Sequence, residues 1–217
     1  IIERYRFLGP IEVEEAEIEK QNWNAVWETN YDPIRISDQV NIRASFHEPD
    51  PSVAMDIVIN PKMSFGTGHH ETTTLMVQGM FEIDLTNKSV LDVGTGTGIL
   101  AFIAIKLGAN RVHGFDIDPW SVENSIENAE LNECAEIPFG LGTIADEDDT
   151  AYDVLLANIN RNILLAEMAE YAARIKPGGL LFLSGFYTED IPLLLESADK
   201  QQLNFIAQAS KNNWACL

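Results

Sequence analysis

The chain has 217 residues, 46% hydrophobic and 22% charged, proportions that are typical of a globular protein and exclude disordered or collagen-like classes. Its 34 acidic residues against 14 basic ones give a formal net charge of −20. That charge opposes binding to nucleic acid or to an anionic membrane and favours a basic partner, or serves solubility alone.

Two further exclusions follow from the sequence. No stretch approaches the length of apolar sequence that a membrane-spanning helix needs. Cys134 and Cys216 lie far apart without metal-ligand spacing, so we expect free, buried thiols in a reducing, cytoplasmic setting. The chain begins without methionine and stops inside a strand-like segment, so we expect trimming at both ends.

The first 60 residues have a strand-like texture after a very acidic segment at 12–20. Residues 34–36 and 40–46 alternate apolar and polar side chains, a pattern that predicts half-buried strands, and residues 55–59 continue in that style. No catalytic pattern occurs in this region. We therefore predict two regions: a small amino-terminal strand-rich segment over residues 1–60, and a second region over residues 61–217.

From residue 61 the pattern becomes strand, turn and helix in alternation. Predicted buried strands cover 89–93, 111–115, 154–157 and 180–184. Between them we predict three helices: an apolar one over 99–107, one capped by Asp118 that carries Val122, Ile126 and Ala129 on one face, and one running to Ile175 and ended by residues 177–179. Apolar strands alternating with helices indicate an α/β fold with a doubly wound, mostly parallel sheet.

The strongest functional signal is a glycine-rich turn over residues 91–98, between a strand and a helix. In a doubly wound sheet this turn binds a nucleotide-like cofactor, and an acidic residue about 20 positions later accepts the ribose hydroxyls. Asp116 ends the next predicted strand and is placed for that role. Gly94, Gly96 and Asp116 are therefore candidate cofactor-binding residues.

The turn discriminates between cofactors. A dinucleotide fingerprint needs glycine or alanine where Ile99 stands, which disfavours an oxidoreductase, and the phosphate-binding GxxxxGK[ST] loop is absent. Residues 89–105 contain no lysine or arginine that could meet a phosphate. Asp92 suits a cofactor with a cationic amino-acid end, so S-adenosylmethionine is the natural candidate.

Two flanking segments add candidate residues. Residues 63–74 contain Gly-Thr-Gly followed by polar side chains, as in a loop beside a site, but Thr74 stands where the zinc motif HExxH needs histidine, so no metal is expected. Asn158 ends a predicted strand, and its amide is expected to point into the ligand crevice. Asn160 is the alternative, as a cap of the next helix.

Together these segments resemble the PrmA family, methyltransferases that modify ribosomal large-subunit protein eleven. The similarity is carried by FGTGHHETT (65–73), LDVGTGTGIL (91–100), FDIDP (115–119) and LLANINRNIL (155–164). The glycine turn alone would indicate only a class I methyltransferase, whereas the threonine-rich loop combined with Ala-Asn-Ile is more specific.

This resemblance implies a Rossmann-like, seven-stranded methyltransferase sheet whose last strand is antiparallel. It implies S-adenosylmethionine as donor and amino groups of a basic ribosomal protein as acceptors. The net charge of −20 adds the expectation of no direct nucleic-acid or membrane binding. The family's amino-terminal recognition domain is expected to be reduced to a remnant plus linker in residues 1–60. By position, Thr73, Gly94, Gly96, Asp116, Thr143 and Asn158 are the cofactor-binding set, and Asn158 is also the catalytic candidate.

Alternatives remain at the level of substrate. The same fold could act on another protein lysine, on a small molecule or on nucleic acid. Amino-group nucleic-acid enzymes often carry proline and an aromatic residue after the asparagine, and Ile159-Asn160 lacks both. A silent binding module would bind the cofactor without turnover.

Overall fold

The computed structural model describes residues 32–60, 71–148 and 150–217, and its first element is a small three-stranded sheet. The strands are β1 (Ile34–Ile36), β2 (Val40–Arg43) and β3 (Met55–Val58). Strand β2 pairs antiparallel with β1 and parallel with β3. The predicted acidic segment at 12–20 and the loop at 63–70 lie outside the described residues.

Strand β2 is buried on both faces, whereas its alternating sequence predicted one exposed face. Asn41 is only 6% exposed. Its Nδ2 donates to Asp56 Oδ1 at 2.8 Å, and Arg43 Nε donates to Asp56 Oδ2 at 2.6 Å. Burial of the polar residue is tolerated because its amide is hydrogen-bonded to a carboxylate on the neighbouring strand.

A seven-stranded sheet is the main element of the described chain. Its order is β6-β5-β4-β7-β8-β10-β9. The strands are β4 (Ser89–Val93), β5 (Arg111–Asp116), β6 (Phe139–Leu141), β7 (Tyr152–Asn158), β8 (Ile175–Tyr187), β9 (Ala209–Lys211) and β10 (Trp214–Cys216). Strands β4 to β8 pair in parallel, and β10 runs antiparallel to both of its neighbours. The predicted α/β class and the antiparallel last strand are confirmed.

Five helices of the described chain cover the two faces of this sheet. They are α1 (Glu71–Phe81), α2 (Ile99–Lys106), α3 (Pro119–Leu131), α4 (Arg161–Ala173) and α5 (Ile191–Lys200). Val90 packs into the cluster that contains α1, α2 and the small sheet, and Leu91 packs into the cluster that contains α4 and α5. Adjacent residues of one strand thus enter two cores, as a doubly wound sheet requires.

Helix α4 ends earlier than the sequence predicted. The sequence pattern predicts Ile175 as part of the helix, but it is the first residue of β8 and pairs with Tyr152 of β7. The backbone N–H of Tyr152 donates to the carbonyl of Arg174 at 2.8 Å, so strand pairing begins before the Pro-Gly-Gly segment. The glycines therefore lie within the irregular start of β8 and do not stop the helix.

Helix α3 buries a different face from the one that its apolar residues suggested. Asp118 caps the helix as predicted, accepting from the N–H of Trp120 at 3.0 Å. Ile126 is 47% exposed, however, and of the predicted apolar face only Ala129 is buried. The other buried residues of the helix are polar: Ser121, Asn124, Ser125 and Asn128.

A polar cluster closes the amino edge of the sheet. Asp153 Oδ2 accepts hydrogen bonds from Ser89 N, Ser89 Oγ and Lys176 Nζ at 2.9, 2.7 and 2.8 Å. The Lys176 ammonium and these Ser89 donors hold the pKa of Asp153 well below its usual range. The starts of β4, β7 and β8 are thus joined at this edge, and the carboxyl edge is left for ligands.

The remaining expectations concern cysteines and membranes. Cys134 and Cys216 are free and buried, as predicted. Within the described ranges, no helix combines the length and apolar character needed to cross a membrane.

Candidate active site

The glycine turn leaves β4 at its carboxyl end and leads into α2. Gly94, Gly96 and Gly98 have φ values of 66°, 57° and 85°, a left-handed backbone that strongly favours glycine. The N–H of Thr95 donates to the carbonyl of Phe115 at 2.9 Å, which holds the turn against β5. The backbone is therefore exposed to close approach of a ligand at the centre of the sheet's carboxyl edge.

Asp116 is bonded to this turn. Its Oδ2 accepts from the N–H of Gly96 at 2.9 Å, and its Oδ1 accepts from the N–H of Asp118 at 3.0 Å. A carboxylate has about four acceptor positions, so lone pairs are left for a ligand's hydroxyl groups. Ile117 and Leu141 lie beside it, 68% and 61% exposed. The structure thus places an anchored carboxylate next to two exposed apolar residues, one that follows it in the chain and one that pairs with it on β6.

Asp92 lies beneath the turn as a buried carboxyl. It is 1% exposed, and Thr95 Oγ1 donates to its Oδ2 at 2.7 Å. Burial raises the pKa of Asp92 to about 7, although hydrogen bonds from Thr95 and from the backbone of Ala101 lower it in part. A carboxyl that is half protonated near neutral pH responds strongly to any positive charge placed near it.

Asn158 is the last residue of β7, and its amide faces α1. Its Nδ2 donates to Thr73 Oγ1 at 3.4 Å, while its buried Oδ1 has no hydrogen-bond partner among the residues that the structure describes. A buried amide oxygen without a partner costs stability unless a ligand or water supplies a donor. The orphaned oxygen therefore marks a position for a hydrogen-bond donor.

One small cleft brings most of the predicted residues together. It is lined by Thr73, Gly94, Thr95, Gly96, Ile99, Leu100 and Asn158. Asp116 is not in this lining, but it ends the adjacent strand β5 and accepts a hydrogen bond from Gly96 of the cleft. The structure therefore gathers five of the six predicted cofactor residues at one end of the sheet.

Thr143 is outside this lining. Its backbone N–H and Oγ1 both donate to Asp146 Oδ2, at 2.8 and 2.9 Å, and close a short 3-10 turn over Ile144–Asp146. These two bonds lower the pKa of Asp146. Thr143 lies two residues beyond the end of β6. The N–H of Gly142, between them, donates to the carbonyl of Asp116 at 2.9 Å. The assignment of Thr143 to the cofactor set stays a prediction.

The sequence did not single out Gly185 and Ile159 as site residues. A Cβ at Gly185 would lie 2.2 Å from the carbonyl oxygen of Ile159, and a Cβ at Gly94 would lie 2.3 Å from Ile159 Cγ2. Gly185 also has a φ of 95°. The residue after Asn158 is thus confined by two glycines, one in the turn after β4 and one in β8. The sequence signal for Gly185 was a glycine inside an apolar strand pattern.

Asn160 does cap α4, accepting from Ile163 N at 3.3 Å.

Comparison with known proteins agrees with this geometry. The family model described as ribosomal protein L11 methyltransferase (PrmA) matches residues 2–217. The chain is 46% identical over 220 residues to the ribosomal protein L11 methyltransferase of Porphyromonas gingivalis, covering 100% of this chain and 76% of that protein. For the Deinococcus radiodurans protein of the same name, identity is 37%, covering 93% of this chain and 77% of that protein.

A solved structure is similar as well. The ribosomal protein L11 methylase of Lactobacillus delbrueckii subsp. bulgaricus superposes with a TM-score of 0.79 at 28% identity, covering 86% of this chain and 96% of that chain. A methyltransferase from Pyrococcus furiosus, at 17% identity and a TM-score of 0.59, covers 74% of this chain and 85% of that chain. The latter shows the fold alone.

The buried carboxyl of Asp92 predicts a pH-dependent stability. Its folded-state pKa of about 7 lies above the unfolded value of roughly 3.9, so between these values the folded state keeps a proton that the unfolded state releases. The contribution of Asp92 to the free energy of unfolding is largest below about pH 4. It falls by roughly 4 kcal/mol as the pH rises to about 7. Asp92→Asn removes this slope, which urea unfolding across pH 4–8 measures.

The matched control is Asp84→Asn. Asp84 is exposed, and hydrogen bonds from Thr86 lower its pKa, so its titration lies below this window. The slope between about pH 4 and 7 stays intact in this variant. Parallel stability curves for wild type and Asp92→Asn would contradict the assigned pKa.

The confinement of Ile159 predicts a large cost for a methyl group at Gly185. Gly178 offers a matched comparison, because its φ is 78° but a Cβ there would meet nothing within 4 Å. We expect Gly178→Ala to cost about 1 kcal/mol of strain. Gly185→Ala adds steric overlap and costs about 2 kcal/mol more. Urea unfolding measures both, and equal costs would argue against the contact with Ile159.

Proposed function

The chain belongs to the ribosomal protein L11 methyltransferase family, and we propose that it transfers methyl groups from S-adenosylmethionine to amino groups of ribosomal protein L11. The observation that supports this most directly is the cleft between the glycine turn and β7, where Asn158 Oδ1 lacks a hydrogen-bond partner within the described part of the chain. The fold is that of methyltransferases. Acceptor identity rests on the family.

The residues present suit S-adenosylmethionine. Asn158 Oδ1 would accept from its cationic ammonium group, and the buried carboxyl of Asp92 would be drawn to its ionised form by the same positive end. Asp116 would accept the ribose hydroxyls, and the exposed Ile117 and Leu141 would cover the faces of the adenine ring. Thr143, one turn beyond β6, would lie near the adenine.

Methyl transfer requires little covalent chemistry from the protein itself. When bound, the donor supplies an electrophilic methyl group, so that the amine nitrogen forms the new N–C bond, the C–S electron pair goes to sulfur, and the amine loses a proton to solvent or a base. This chain's part is to hold a neutral amine in line and to exclude water, which can be worth about 7–11 kcal/mol. Asn158 would bind the methionine end and accept from the amine N–H. Thr73 would fix the amide through its hydroxyl.

Charge supports a basic acceptor. The described chain pairs many of its cations with carboxylates, among them Arg43 with Asp56 and Arg161 with Asp190, at 2.6 Å in each case. Over the whole sequence, acidic residues outnumber basic ones and the net charge is −20. Such a charge attracts a lysine-rich protein and repels a phosphate backbone. We further propose that residues 1–60 contribute to acceptor recognition and residues 61–217 carry out transfer.

The deciding experiment is mass spectrometry of purified L11 after incubation with this protein and S-adenosylmethionine. Added mass in steps of one methyl group, mapped to lysine side chains or the terminal amine, is the expected result. A parallel incubation with cell extract and radiolabelled donor tests other acceptors. Label in another protein, a small molecule or nucleic acid, with L11 unmodified, would overturn the acceptor assignment.

Two substitutions separate binding from transfer. Asp116→Ala removes the ribose acceptor, so the Kd of S-adenosylhomocysteine should rise roughly tenfold or more, a loss of about 1.4 kcal/mol or more. Asn158→Ala should lower kcat at saturating donor by roughly a hundredfold, because amine orientation is lost. Calorimetry and a methyl-transfer assay measure these quantities. Unchanged affinity in the first variant, or an unchanged rate in the second, would reject the assigned role.

A further inference from the structure

Helix α3 presents a row of buried asparagines to the rest of the molecule. Asn124, Asn128 and Asn132 follow one another at four-residue spacing and are 0%, 0% and 4% exposed. Side chains at this spacing lie on one face of a helix, extended here by the C-cap Asn132. Complete burial of three amides is costly unless each is hydrogen-bonded, so their partners define what the row does.

Asn132 and Asn124 both bind the backbone at or just after β3, and Asn132 Nδ2 also donates to the carbonyl of Asn128 at 2.7 Å. Asn132 Oδ1 accepts from the N–H of Val58 at 2.9 Å, and its Nδ2 donates to the carbonyl of Val58 at 2.7 Å. Asn124 Nδ2 donates to the carbonyl of Asn60 at 3.2 Å. These amides bond to the strand's backbone as a neighbouring strand would, and so hold the small sheet to the helix.

Asn128 bonds in two directions. Its Oδ1 accepts from the N–H of Asn60 at 3.0 Å, and its Nδ2 donates to the carbonyl of Thr97 at 3.1 Å. Thr97 belongs to the glycine turn, and its carbonyl is in the peptide group that contains the N–H of Gly98. That N–H donates to the carbonyl of Thr95 at 2.9 Å. A single buried amide therefore fixes the orientation of a peptide plane within the turn.

The turn is held by bonds to other elements, and Phe115 and Asp116 of β5 already supply two of them. Gly98 is the N-cap of α2 in a left-handed conformation, and it offers no side-chain capping bond. Glycines have more accessible backbone conformations than other residues, so three of them in succession with single residues between make a turn that is costly to order. Asn128 supplies a hydrogen bond from a different element of the fold.

We propose that Asn128 is a positioning residue for the cofactor turn, and that through it the β1–β3 sheet supports cofactor binding. This inference rests on the proposed use of S-adenosylmethionine at that turn. The sequence related residues 1–60 to acceptor recognition alone. The shared amide gives their described part a second task, because Asn60 and Thr97 are held by the two ends of one side chain.

Substitution by aspartate tests this with a built-in control. Asn128→Asp keeps the oxygen that accepts from Asn60 but replaces the donor to Thr97 with a second oxygen, which repels that carbonyl. Asn132→Asp makes the same chemical change at a comparably buried site, where the lost donor faces Val58 and Asn128 instead. Both variants bury an acidic group, so both should lose a similar amount of stability.

The readouts are the Kd of S-adenosylhomocysteine by calorimetry and, without any ligand, amide hydrogen exchange of Gly98 by NMR. We expect Asn128→Asp to raise the Kd roughly tenfold and to speed exchange at Gly98. Asn132→Asp should keep the Kd within roughly twofold of wild type. Should the aspartate variants fail to fold, Asn128→Ser and Asn132→Ser make the comparison without a buried acid.

The outcomes separate this inference from the proposed function. Equal changes in Kd for the two variants, or none in either, with wild type binding normally, would overturn the positioning role of Asn128 and leave the proposed function standing. A wild-type protein that does not bind S-adenosylhomocysteine would overturn the proposed function, and the inference with it.

Discussion

The carboxyl edge of the sheet depends on the confinement of Ile159 between two glycines. Its side chain occupies the space where Gly94 lacks a Cβ, and its backbone occupies the space where Gly185 lacks one. The residues that directly follow β4 and β7 thereby pack against each other and against β8. Asn158 precedes Ile159 directly, so the position of its amide over the cleft follows from this packing. A close-packed interior transmits such constraints because it has few voids to absorb them.

Polar burial is the second recurring feature. Asp92, Asn41 and the asparagines of α3 all lie at low exposure, and each has a hydrogen bond from or to the backbone or a neighbouring side chain. Such bonds contribute little net stability but give directionality, since an unmade buried bond is costly. In this fold they connect the small sheet, α3 and the glycine turn. Precision at the cofactor site therefore depends on residues well outside the cleft.

Much of the fold was accessible from sequence because its signals are local. Apolar runs such as 89–93, the glycine turn and the Asp118 cap are decided by a residue's own neighbours, and the structure bears them out. Predictions from local sequence signals were wrong where a residue's hydrogen-bond partners lie far away in the chain. The predicted buried face of α3 is wrong because apolar content does not decide which side of this helix is buried. Its asparagines are buried instead, since they bond to the backbone of Val58, Asn60 and Thr97, which lie far away in the chain.

The sequence by itself thus determined the fold class, the turn, and the candidates Asp116 and Asn158, since residue type and spacing carry these, whereas Thr73 came from the resemblance to the family. Tertiary structure alone decided which candidates meet in one cleft, and that no described residue bonds to Asn158 Oδ1 there. It also decided that Ile159 is wedged against Gly94 and Gly185. The physical reason is that cleft geometry and hydrogen-bond satisfaction arise between strands far apart in the chain, where neither composition nor periodicity holds information.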